Sequence, residues 1–83
     1  MPPPRETLLK TTLTLLLAIA PEVDAQTLQP AQPLRHQVDL DSMDWLNFLI
    51  SLHQHLGVNI PEADYARLIS LNDVVDYLEA HLA

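Results

Sequence analysis

The placement of proline and glycine decides where this chain can be helical. Its seven prolines stand at positions 2–4, 21, 30, 33 and 61, and its single glycine is Gly57. Proline removes a backbone donor and clashes with the preceding turn, so helix interiors exclude it. Residues 1–4 are therefore read as a disordered, proline-rich lead. From Arg5 to Ile19 the apolar positions Leu8, Leu9, Leu13, Leu16, Leu17 and Ala20 recur at helical spacing, and Pro21 ends the run. Residues 21–40 hold three prolines and four glutamines and read as a long loop, with Val23, Leu28, Leu34 and Val38 as anchors to a core. A loop of about twenty residues in a compact domain calls for a role.

A second helix is expected from Ser42 to Leu56, stopped by Gly57. At about 100° per residue, Trp45, Phe48, Leu49, Leu52 and Leu56 form a core stripe, while Asp44, Asn47, Ser51, Gln54 and His55 face water. Met43, Leu46 and Ile50 make a second apolar strip, which either meets a partner or packs against the loop or first helix. Pro61-Glu62 opens a short helix to about Arg67. Ser70 then caps a last helix, with Asp73 at its third position and Leu71, Val74, Val75, Leu78 and Leu82 inward. The fold class is all-α, a single domain over residues 1–83, with three longer helices and one short one.

Charge and composition narrow the function. Four basic residues (Arg5, Lys10, Arg35, Arg67) face eleven acidic ones, for a net charge of -7. Nucleic acid binding needs a basic stripe that is missing here, and an anionic membrane is disfavoured for the same reason. The charge favours partners with basic patches. Without cysteine, disulfides, zinc-thiolate sites and thiol catalysis are excluded. Arg5 and Lys10 before the apolar run, with Val23-Asp24-Ala25 after it, imitate a signal peptide. Against this, Glu6 interrupts the basic region, and cleavage would remove about a quarter of a thin core. We therefore expect a cytoplasmic monomer that keeps its first helix.

The most informative stretch is Asp39-Leu40-Asp41-Ser42-Met43-Asp44-Trp45-Leu46. Taken alone, a serine at a helix start is an N-cap. A hydrolytic serine would need a base and an oxyanion site, and neither a glycine-rich elbow nor a placed histidine accompanies Ser42. The aspartates do not form a calcium loop. Counted from Asp39, the sixth and twelfth positions are Asp44 and Ile50; counted from Asp41 they are Leu46 and Leu52. His53 and His55, two apart on a helix, cannot converge on one metal. No catalytic or metal-binding residues are assigned.

Asp41-Ser42-Met43, opening a helix after a long loop, resembles the Asp-Ser-Leu attachment motif of acyl carrier proteins. Leu56-Gly57-Val58-Asn59-Ile60-Pro61 resembles that family's exit from its second helix, and Ser70-Leu71-Asn72-Asp73-Val74-Val75-Asp76-Tyr77-Leu78 its last-helix start. The resemblance runs without gaps from about Val38 to Leu82. It implies a four-helix carrier domain without catalytic activity, bearing 4′-phosphopantetheine on Ser42 and acyl groups as thioesters on that arm, for fatty-acid, lipid or polyketide-type synthesis. It also implies a phosphopantetheinyl transferase and acyl-loading and acyl-processing enzymes as partners, meeting basic or apolar patches to a surface of Met43, Asp44, Leu46, Asn47 and Ile50. An acyl pocket is implied at Trp45, Phe48, Leu49 and Leu68.

Several positions depart from the family pattern. Asp39 stands where glycine is frequent, Met43 follows the serine in place of leucine, Asn47 replaces a common glutamate, and His53-Gln54-His55 replaces an acidic run. These departures point to a specialised member serving a dedicated pathway. Trp45 either simply fills the core or narrows the pocket towards short or unusual acyl groups. The competing reading is an unmodified adaptor that binds a partner through Met43, Leu46 and Ile50.

Overall fold

The computed structural model describes residues 3–82. Its elements are α1 (Arg5–Ile19), α2 (Leu34–Gln37), α3 (Ser42–Leu56), a 3₁₀ helix (Glu62–Arg67) and α4 (Leu71–Leu82). No strand forms among the described residues. The all-α expectation holds, and the three longer helices and the short 3₁₀ helix stand where the sequence put them. Of the lead expected to be disordered, residues 1–2 lie outside the described residues. Pro4 is extended, and its carbonyl accepts from the Leu8 amide at 3.0 Å.

α1 packs across both α3 and α4. Its fully sheltered line is Leu8, Thr12, Leu15, Leu16 and Ala20. Leu9 and Leu13 pack only partly against that core, and Leu17 is half-exposed. The periodic set read from the sequence took in Leu9, Leu13 and Leu17 and omitted Thr12 and Leu15, because leucines crowd most of the helix circumference and periodicity alone fixes no single face. Thr12 shows how a polar residue enters the stripe. It is 0% exposed, and its hydroxyl donates to the Leu8 carbonyl at 2.7 Å, which removes the cost of an unpaired buried oxygen.

The core continues through Phe48, Leu49 and Leu52 of α3 and Leu71, Val74, Val75 and Leu78 of α4, all nearly inaccessible. Leu56, expected in the core stripe, is half-buried at the last turn of α3. Beyond it, Gly57 takes a left-handed φ of 69°, and its amide donates to the His53 carbonyl at 2.9 Å. Any side chain there would be strained, so glycine is the natural stop. His53 fastens the same corner, with Nδ1 2.8 Å from the Val58 carbonyl.

The long loop has more structure than its composition announced. Leu34 and Val38 are buried, and Val23 and Leu28 pack partly on the core, as expected of the four anchors. Between Leu34 and Gln37 the chain adds a single helical turn, too short for its period to be read in sequence. Gln37 clasps the loop to itself: its Oε1 accepts from the Gln29 amide at 2.7 Å, and its Nε2 donates to the carbonyls of Gln29 at 2.9 Å and Gln32 at 3.0 Å. The loop is also tied to the start of α4. The Leu34 amide donates to Ile69 at 2.8 Å and the Asn72 amide to Pro30 at 3.0 Å. Its backbone groups thus find partners without a sheet or a long helix.

Arg5 joins the two ends of the chain, pairing with Asp76 at 2.6 Å and Glu79 at 2.5 Å. Those hydrogen bonds raise its pKa, but the cluster is exposed, so it orients α1 against α4 more than it stabilises them. Tyr77 donates to Asp64 Oδ2 at 2.7 Å and stacks on His81, with ring centroids 3.9 Å apart. Burial and then the Asp64 bond push the phenol up to about 12. No described helix is long and apolar enough to cross a membrane.

Candidate functional site

The start of α3 is built by a reciprocal pair of aspartates. Asp41 is the N-cap, extended at φ -81° and ψ 179°. Its Oδ1 accepts from the Asp44 amide at 2.8 Å, and Asp44 Oδ2 accepts from the Asp41 amide at 3.4 Å. This capping box satisfies two of the backbone donors that a helix start leaves without partners. It also corrects the simplest local reading of the serine. Ser42 is not the cap but the first helical residue, and Asp41 does the capping.

That shift of one position decides what the Ser42 hydroxyl is free to do. Ser42 is exposed, and its oxygen makes no hydrogen bond to the described residues. The first-turn amide of Asp44 is taken by Asp41, while the amides of Ser42 and Met43 precede any intrahelical acceptor. A phosphate ester on Ser42 would meet these amides and the positive end of the helix dipole. The dipole contribution is small, about 0.3–1 kcal/mol at an exposed end, and Asp39, Asp41 and Asp44 oppose a second negative charge. A covalent bond makes that balance unimportant for retention. A free hydroxyl at a rigid, accessible helix start therefore fits phosphodiester attachment.

The flanking residues separate into two environments. Met43 is 62% exposed and Ile50 42% exposed, and neither belongs to the apolar side chains packed on the core. Leu46 is half-buried between them, Asn47 is exposed, and Asp44 is half-buried in its capping box. Met43, Leu46 and Ile50 thus leave an apolar strip on the solvent side of α3. On the other side, Trp45 is buried with its ring centroid 5.5 Å from that of Phe48.

The four residues expected to form one pocket do not line a single cavity. Trp45 and Leu68 line a cleft of about 250 Å³ with Pro33, Arg35, His36, Tyr65, Ala66 and Ile69. Leu49 lines a smaller one of about 160 Å³ with Ile50, His53, Asn59, Ile60 and Tyr65. Phe48 is fully buried and lines neither. Its place at the centre of the apolar stripe makes it core rather than cavity wall. Tyr65, which borders both clefts, was not singled out from the sequence. A six-residue 3₁₀ helix has too few turns to show a face, and an aromatic four residues after Pro61 was the only signal. Arg35 and His36 were missed because they sit on the single turn inside the loop.

Comparison with known proteins places the chain in a family. A family described as "Phosphopantetheine attachment site" matches residues 9–78. Curated relatives are named acyl carrier protein. One from Helicobacter pylori (strain ATCC 700392 / 26695) is 32% identical over 57 residues, covering 69% of this chain and 73% of the relative. One from Campylobacter concisus is 30% identical, covering 69% and 74%. One from Lactobacillus acidophilus is 27% identical over 60 residues, covering 72% and 75%. The match runs from within α1, through the loop, α3 and the 3₁₀ helix, to within α4. Proteins of this family carry a covalent 4′-phosphopantetheine and are not themselves enzymes; the chain belongs to the phosphopantetheine-attachment family of carrier proteins.

Proposed function

We propose that Ser42 is the residue that receives 4′-phosphopantetheine, and that the chain carries acyl groups as thioesters for a dedicated biosynthetic pathway. The observation that carries this reading is the unengaged, exposed Ser42 hydroxyl beside an aspartate that has taken over helix capping. In the transfer, Ser42 Oγ bonds to the pantetheine-bearing phosphorus of coenzyme A. The pyrophosphate linkage breaks, adenosine 3′,5′-bisphosphate leaves, and the hydroxyl proton passes to a base on the transferase. When attached, the arm supplies a thiol, and with no cysteine in the chain that thiol is the protein's only one.

The chain itself supplies position and recognition. The capping box holds Ser42 at a fixed helix start, and the acidic surface attracts enzymes with basic patches. Met43, Leu46, Asn47 and Ile50 offer an apolar and polar docking strip with little charge, which favours partners other than the standard fatty-acid enzymes. Asp44 contributes the acid at its edge. We place the protein in the cytoplasm as a monomer.

Incubation with coenzyme A, magnesium and a broad-specificity transferase is expected to add one phosphopantetheine to the native chain and none to Ser42→Ala, read by intact mass. A folded native chain that gains nothing with several transferases would overturn the carrier reading and favour the adaptor. The dedicated pathway is tested by turnover. Standard fatty-acid enzymes should use this carrier more slowly than a housekeeping one, and equal rates would contradict that part.

A further inference from the structure

We infer that the cleft bordered by Trp45 and Leu68 is selective for an acyl group ending in a carboxylate, with Arg35 as the group that selects it. The inference rests on acyl loading at Ser42 and names the class of acyl group. In a chain with eleven acidic residues this cleft contains none, and its charged lining is basic. The larger clefts elsewhere are different: one holds Glu22, Asp24 and Asp39, the other Asp64, Asp73 and Asp76.

Arg35 is also uncommitted, unlike Arg5 and Lys10, and unlike Arg67 it has no carboxylate in its cleft. Arg5 pairs with Asp76 and Glu79, Lys10 with Glu6, and Arg67 shares its cleft with three aspartates. Neither Arg35 nor His36 makes an ion pair or a side-chain hydrogen bond among the described residues. A guanidinium is charged at any working pH and matches a carboxylate with two parallel hydrogen bonds. Imidazole keeps at least one N–H donor in either protonation state. The cleft therefore joins an apolar wall, Trp45 and Leu68, to a mouth that binds anions. A purely aliphatic acyl end would fill the wall and partly desolvate Arg35 with nothing to pair it. A carboxylate on a short chain satisfies both. Trp45 lies one helical turn beyond Ser42, so an arm attached there can fold back to the cleft.

The test loads the full chain with glutaryl or pentanoyl phosphopantetheine from the corresponding coenzyme A thioesters. These acyl groups have the same number of carbons and differ in their terminal charge. Thioester cleavage by hydroxylamine is then timed against the free coenzyme A thioesters. The glutaryl group should be protected about two- to fivefold more than the pentanoyl group, the size expected of a partly exposed ion pair. Arg35→Gln, at an exposed position outside the attachment motif, should load normally and lose that difference, while Arg35→Lys should keep part of it. Equal protection of the two groups on the native chain, or a preference unchanged in Arg35→Gln, would overturn the inference alone. A chain that gains no mass would overturn the attachment reading as well.

Discussion

Ser42 and Ser70 both mark the start of a helix, and both have aspartates beside them, yet their hydroxyls have opposite fates. At α4 the serine is the cap. Ser70 is 6% exposed, its Oγ accepts from the Asp73 amide at 3.1 Å, and Asp73 Oδ2 accepts from the Ser70 amide at 3.0 Å. At α3 the same reciprocal box is made by Asp41 and Asp44, and the serine falls one place later, outside it. One hydroxyl is consumed by folding and the other stays exposed and unbonded. The lesson is that a reactive serine at a helix start needs a neighbour to relieve it of capping.

The sharpest way to break the comparison is to remove each hydroxyl. Ser42→Ala should abolish phosphopantetheine transfer, measured by intact mass, while stability stays within about 0.5 kcal/mol because an exposed, unbonded oxygen is lost. Ser70→Ala should be modified like the native chain. Next comes the core that holds both helix starts. Phe48→Ala should cost about 3–5 kcal/mol in urea unfolding, a large share of the roughly 5–15 kcal/mol a domain possesses. Transfer to Ser42 should then fall with the folded fraction.

The caps themselves should give smaller and matched effects. Asp41→Ala and Ser70→Ala should each lower stability by about 1 kcal/mol, and Asp41→Asn, an equally good cap, by only a few tenths. If Asp41→Ala cost nothing, the claim that Asp41 relieves Ser42 would fail. The smallest effect is expected at Tyr77, one helical turn beyond Asp73, where partial exposure lets solvent screen its bond to Asp64. Its folded pKa of about 12 lies above the ordinary phenol value of 10.0, so the protonated phenol is favoured by folding. That contribution is complete below the unfolded pKa and is lost as pH rises through the folded one. Urea midpoints of the native chain should fall between pH 10 and pH 12, and those of Tyr77→Phe should fall less.

The two helix starts also mark what was legible in the sequence. Ser70 and Asp73 stand at cap and third position, and the box they form was expected from that spacing alone. Asp41 and Asp44 have the same spacing, but an aspartate pair next to a serine leaves open which residue is the cap. Only backbone angles distinguish them. Helix limits at Pro21 and Gly57 were readable because proline and glycine act through the backbone itself. The buried face of α1 was not, since leucines surround it. The clefts were the least legible part. The one beside Trp45 is made by Arg35, His36 and Tyr65, which sit on helical pieces too short to carry a period and converge with Trp45 only through tertiary packing.

The most direct test of the account is to map the modification. The chain has three serines, Ser42, Ser51 and Ser70. After transfer from coenzyme A, proteolysis and fragmentation mass spectrometry should place the whole added phosphopantetheine on the peptide containing Asp41-Ser42-Met43, with the mass on Ser42. Attachment at Ser51 or Ser70, or a folded native chain that takes up none, would contradict it.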